Sequence, residues 1–244
     1  MLVKPLKLNR LNVTFQAMSI KNAVRQAKTS GIEESNRIFL ESVVIDNKGE
    51  NGLNFDEWTA QERLMVIAHY LMSVSMEDGE SPDFEIGGGT LSDYIDYESE
   101  FKNKEKSFEF NGETWTVVPL TGRFIESVER IEGTINNVSG RLHYEAGYLA
   151  SQLRNENDDS IKLETSLDDW LHKRMSLLLD YTEADYNALL IQAELQRDDN
   201  IHHYLTINND DSGLVVLPKE GGEGLVPVRF SSLSAISERI KTVY

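Results

Sequence analysis

The residue spacing first suggests calcium chemistry. The run Asp46-Asn-Lys-Gly-Glu-Asn-Gly-Leu-Asn-Phe-Asp-Glu57 places aspartate first and glutamate twelfth, the outline of a loop that surrounds a calcium ion with oxygen. Lys48 would put a cation at the third ligand position, and Gly52 stands seventh where the sharp turn needs glycine sixth. The segment therefore reads as a solvated loop between two helices. A second frame starts at Asn208, with Asp210, Ser212 and Gly213 well placed, but Lys219 occupies the bidentate position. The five histidines, His69, His143, His172, His202 and His203, include no pair at the i, i+4 spacing of a zinc-binding helix. His69 reads as a packed or hydrogen-bonded residue of a helix.

Other chemistries fare no better. The chain has no cysteine, which excludes disulfides, thiolate metal sites and cysteine nucleophiles and fits a reducing interior. Gly87-Gly-Gly-Thr90 lacks the Lys-Ser/Thr ending of a phosphate loop, and Gly221-Gly-Glu-Gly224 is not followed directly by a helix that could offer amide donors. Both read as turns. No Gly-x-Ser-x-Gly elbow is present. Among 41 carboxylates an acid–base pair arises by chance, so the count says nothing about glycoside chemistry. The chain is expected to be non-enzymatic, with no metal and no cofactor.

Charge narrows the partners. With 24 Lys and Arg against 41 Asp and Glu in 244 residues, the net charge is −17, which repels nucleic acid and anionic lipid at long range. Neither direct nucleic-acid binding nor membrane association is expected, and no stretch approaches the ~18 apolar residues of a membrane span. The basic N-terminus lacks the apolar run and cleavage site of a secretory signal. The charge is also uneven. Residues 1–28 carry Lys4, Lys7, Arg10, Lys21, Arg25 and Lys28 with no acid, while residues 77–100 carry nine acids and no base. Such opposite segments suggest either two separately solvated faces or self-complementation within a chain or between copies.

The elements that would position these residues are mostly helical. Helices are predicted over 17–28, 32–44 and, after the Thr59-Ala-Gln-Glu62 capping box, through Leu64, Ile67, Ala68, Leu71 and Met72. That third helix is apolar around much of its circumference and should be central to the N-terminal half. Asp83-Phe-Glu-Ile86 alternates like a strand. Residues 107–110 and 113–118 alternate around Asn111-Gly112, a strong hairpin signal because both turn residues tolerate positive φ. Pro119 ends the hairpin and a helix follows over 122–131. Beyond a small, polar linker at 133–140, helices are predicted over 141–153, 167–180 after Ser166, and 183–196 after Thr182. Short strands follow at 214–217 and 226–230, and a last helix at 232–241. The expected fold is α+β, mainly helical with a small antiparallel sheet that includes the 107–118 hairpin. Its expected domains are 1–135 and 140–244.

One ordered set of features resembles a known family. A capped helix preceded by an aromatic, Phe55-Asp-Glu-Trp-Thr-Ala-Gln-Glu-Arg-Leu-Met through Ser75, leads into the acidic Asp83–Ile86 strand. The hairpin then ends in Val118-Pro-Leu-Thr-Gly-Arg123 before a helix. Over residues 36–132 this resembles the tail-assembly chaperone and baseplate-hub-associated proteins of tailed bacteriophages. Some relatives carry metal-binding cysteine pairs around the small sheet. Here Phe108, Phe110, Trp115 and Val117 must hold the hairpin by packing.

The resemblance implies a non-enzymatic structural or assembly protein that docks onto other tail or baseplate proteins, located in the host cytoplasm during assembly or in the virion. Docking needs an adhesive surface. The expected one is formed by Asp83, Glu85, Tyr94, Asp96, Tyr97 and Phe101, where aromatics alternate with carboxylates and could enter a basic groove with an apolar floor. Equally, these aromatics could cover the domain's own core. Self-association is a further expected contact. A different class, an acidic mimic of DNA that occupies a nucleic-acid-binding protein, draws on the net charge alone.

Overall fold

The computed structural model describes residues 3–75, 85–86, 88–97, 99, 105–155, 166–201, 204–219, 224–230 and 232. These form an α+β fold of seven α-helices and small antiparallel sheets of two or three strands. At its centre is the predicted third helix, α3 (Ala60–Ser75 in chain order, after α1 Ile20–Ala27 and α2 Ile32–Val43), whose consecutive residues Leu64, Met65, Val66, Ile67 and Ala68 are all buried. A helix buried on every side needs apolar residues on every side, which this sequence supplies. The capping box forms as spaced: the Glu62 amide donates to Thr59 Oγ1 at 3.2 Å, and the Thr59 amide donates to Glu62 Oε2 at 2.8 Å.

The Pro119–Gly122 step has a physical explanation in this helix start. The Ala60 amide donates to Leu120 O and the Gly122 amide to Trp58 O, both at 2.8 Å, so the step is stitched to the beginning of α3. A side chain at Gly122 would fall 2.4 Å from Arg63 Nη1 and 2.5 Å from Phe55 O. Only glycine allows that approach. The helix α4 (Gly122–Arg130) starts there and α5 (Gly140–Gln152) packs against it.

N-terminal to these helices, β1 (Leu6–Lys7), β2 (Asn12–Phe15) and β3 (Val44–Asn47) form an antiparallel sheet. Sequence reasoning missed it, because two- to four-residue strands are too short to establish a period of two. The 46–57 loop is corrected accordingly: it does not run helix to helix. Asp46 pairs with Thr14 inside β3, and the turn beyond is held by Asn47. Asn47 Oδ1 accepts from the Asn12 and Gly49 amides at 2.9 Å, and its Nδ2 donates to Glu50 O and Gly52 O. An asparagine side chain does the organising that the calcium frame would have assigned to an ion.

The predicted hairpin is present as β6 (Lys106–Phe110) and β7 (Glu113–Val117), after the short pair β4 (Glu85–Ile86) and β5 (Gly89–Thr90). Asn111 and Gly112 have φ of 49° and 78°, as a type I′ turn demands. Trp115 and Val117 are buried, and Phe108 and Phe110 pack against the core. A third strand, β8 (Leu153–Asn155), leaves α5 and pairs with β7 through Val117 and Leu153. Further on lie α6 (Leu167–Leu179) and α7 (Glu183–Asn200), capped as predicted by Ser166 and Thr182, whose hydroxyls accept from the Asp169 and Asp185 amides.

The Asn208 frame belongs to a hairpin of β9 (Thr206–Asp210) and β10 (Gly213–Leu217), in which Asp210 accepts from the Ser212 amide and pairs with Arg229. The strand expected at 226–230 contributes one bridge, Val228 to Val216. Elements on both sides of the 133–140 step share one hydrophobic cluster that runs from Val3 to Phe230. Among the described residues, no helix is long and apolar enough to cross a membrane. The helix expected at 232–241 lies outside the described residues except for Ser232.

Candidate functional site

Of the six residues expected to meet a partner, four are described. Asp83 and Phe101 lie outside the described residues, and Glu85 opens β4 opposite Thr90. Tyr94, expected as an exposed ring, is only 1% exposed, and its hydroxyl donates to Val226 O at 2.8 Å. Its alternation with carboxylates gave no sign of this, because the hydrogen-bond acceptor comes from a segment 132 residues away. The turn before it is a capping box in which Asp93 Oδ2 accepts from the Thr90 amide at 2.7 Å, and that bond holds the Asp93 carboxyl below its usual range. Asp96 and Tyr97 do stand at the surface. The Tyr97 ring is 49% exposed, with its hydroxyl 3.4 Å from Met72 Sδ, and the Asp96 amide donates to Tyr204 O.

A second assembly of charge, which sequence reasoning missed, lies between α2, α4 and α5. The first turn of α2 exposes amide donors and the positive end of the helix dipole, yet Gly31 has no side chain to cap it. Glu129 of α4 does so from 97 residues away: its Oε1 accepts from the Ile32 amide at 2.5 Å, and Oε2 from Glu33 and Glu34 at 3.1 and 3.4 Å. One turn earlier on α4, Glu126 lies between Arg63, at 2.9 Å, and Arg37, also at 2.9 Å. Arg37 continues the chain to Glu41.

Behind these pairs sits Glu33, whose burial pushes its carboxyl up to about 7, against the pull of Arg63 and with the help of Glu129 and Glu126. In front of them is an open cleft of about 590 Å³ that also includes Arg130, Glu132 and Tyr144. The Tyr144 hydroxyl donates to Glu132 at 2.9 Å, and Arg130 is held by Asp168 at 2.8 Å. The charges are spent on one another: they cap α2 and bind α2, α3, α4 and α6 together. Among the described residues, no group of three or more His, Cys, Asp or Glu side chains is arranged to hold a metal ion.

A third feature is α1, whose orientation is inverted. A surface helix ordinarily turns its apolar stripe inward. Here the buried residue is Gln26, whose Nε2 donates to Ser35 Oγ at 3.2 Å and Ser232 Oγ at 2.5 Å. Ile20 and Val24, one turn apart, face outward with exposures of 83% and 49%, and Ala27 follows them. Lys21, Arg25 and Lys28 line one side of this stripe, all exposed, with Arg25 3.1 Å from Glu41. The basic character of residues 1–28 was legible in the sequence. That its helix would present the apolar side was not, because the polar ties of Gln26 reach α2 and Ser232, 9 and 206 residues away. Chemically, the arrangement offers apolar contact with a cationic border. Compared with known proteins, the chain matches no family model, no curated sequence and no solved structure.

Proposed function

We propose that the chain is a non-enzymatic protein acting through protein–protein contacts, a structural or assembly component of a bacteriophage tail or baseplate. The observation that supports an adhesive role is the inverted helix α1, which places Ile20 and Val24 in solvent beside a basic edge of Lys21, Arg25 and Lys28. Leaving such a stripe wet forfeits roughly 25 cal/mol for each Å² that a partner could cover. The complementary surface is an apolar patch edged with carboxylates, on another tail or baseplate protein. The overall charge of −17 slows the approach of acidic partners at long range, so the cationic border must act locally, within about 10 Å at ordinary ionic strength.

The test is whether the chain accompanies its proposed partners. Purified particles and assembly intermediates from phage-infected cells are probed for the chain by mass spectrometry. Its presence in particles, or bound to a tail or baseplate protein during assembly, is the expected result. Absence from both overturns the reading.

A further inference from the structure

Helix α7 is apolar on two opposite sides. Its inward side packs Tyr186, Leu189 and Ala193 in the core, close to the β6–β7 hairpin. On the other side Ala184, Ala188, Ile191 and Leu195 are all exposed, Ile191 and Leu195 at 54% each. At 3.6 residues per turn these four fall within an arc of about 60°. Their spacing of four, three and four is the a/d spacing of a helix-pairing seam, and no described residue of the chain covers it.

We propose that this seam pairs with the same seam of a second copy, antiparallel. Volume decides the direction. In antiparallel register Ala184 faces the other copy's Leu195 and Ala188 faces its Ile191, so each of the four layers joins one small and one large side chain and all have similar volume. A parallel pair would stack alanine on alanine at one end and leucine on leucine at the other, leaving the alanine end unfilled. The border residues agree with the antiparallel choice. Asn187 lies across from Glu194, and Asp185 across from Gln192, so every carboxylate meets an amide rather than a like charge. For a chain of net charge −17, that register is the one in which self-pairing avoids direct repulsion.

The seam is short, about 16 Å over its twelve residues, so it covers less than the ~1,200 Å² of a standard interface and predicts a weak, concentration-dependent dimer. It lies on a different helix from the α1 surface, so either proposal can fail alone.

The test uses the full chain. Sedimentation should show a dimer fraction that rises over roughly 10 µM to 1 mM, the range of weak association. Ile191→Glu with Leu195→Glu should abolish it while leaving the unfolding temperature unchanged, since both side chains are exposed. Because the chain has no cysteine, single-cysteine variants report geometry cleanly. A mixture of Ala184→Cys and Leu195→Cys chains should cross-link with a short bis-maleimide, whereas Leu195→Cys alone should not, its two copies lying ~16 Å apart along the axis. A monomer throughout the concentration range overturns the proposal. So does a dimer indifferent to the glutamates, or cross-linking of Leu195→Cys alone as efficient as that of the mixture.

Discussion

Glu33 shows how one carboxyl can couple stability to pH. Its folded value is raised to about 7 from 4.5 by burial, so the folded state holds its proton more tightly than the unfolded chain. The stabilisation is therefore complete below about 4.5 and is lost as pH rises through about 7. Glu33→Gln, which keeps the shape and removes the charge, is expected to raise the unfolding temperature at pH 8 and to change it little at pH 4.5. The gain at pH 8 is on the order of 3 kcal/mol at 1.36 kcal/mol per pH unit, and thermal denaturation at the two values measures it. Glu129 has the opposite value to the fold. Removing its carboxylate with Glu129→Ala strips the cap from α2 and should cost about 1–2 kcal/mol in chemical denaturation. At this scale sequence reading succeeded where partners are three residues apart, as in Thr59 and Glu62. It failed where Glu129 caps a helix 97 residues away, because no local spacing encodes that contact.

Elements differ in how far their own residues explain them. The β6–β7 hairpin was legible because Asn111-Gly112 must adopt positive φ for a two-residue turn, and both do. Gly112→Val should therefore destabilise the protein by at least ~1–2 kcal/mol, the left-handed cost of a side chain, with urea denaturation as the readout. The β1–β2–β3 sheet was illegible, since its strands are short and its third member directly follows a helix. Helix α1 departs from the usual rule altogether. Eight residues make a marginal helix in water, and this one is held by the Ser19 cap and the ties of Gln26, with its large apolar side chains left outside. Ile20→Asp with Val24→Asp should leave the unfolding temperature within about 1–2 °C of wild type, as surface substitutions do. Gln26→Leu, which removes the buried amide that donates to Ser35 Oγ and Ser232 Oγ, should lower it by several degrees.

For the molecule as a whole, the acidic charge excludes more than it explains. Several of its carboxylates are consumed internally, Glu126 by Arg63 and Arg37, Asp168 by Arg130, and Glu129 by the start of α2. A DNA mimic would have to array carboxylates along an open face, and the outward feature on α1 is instead cationic and apolar. Because that border works by charge, partner binding should weaken as salt rises from about 50 to 500 mM, as screening shortens. The most direct measurement compares capture of tail and baseplate proteins from phage-infected cells by the wild-type chain and by the Ile20→Asp, Val24→Asp variant, both shown to be folded. Wild type should retain an identified tail or baseplate protein and the variant should lose it. Equal capture by both, or capture of none by the wild type, would contradict docking through α1.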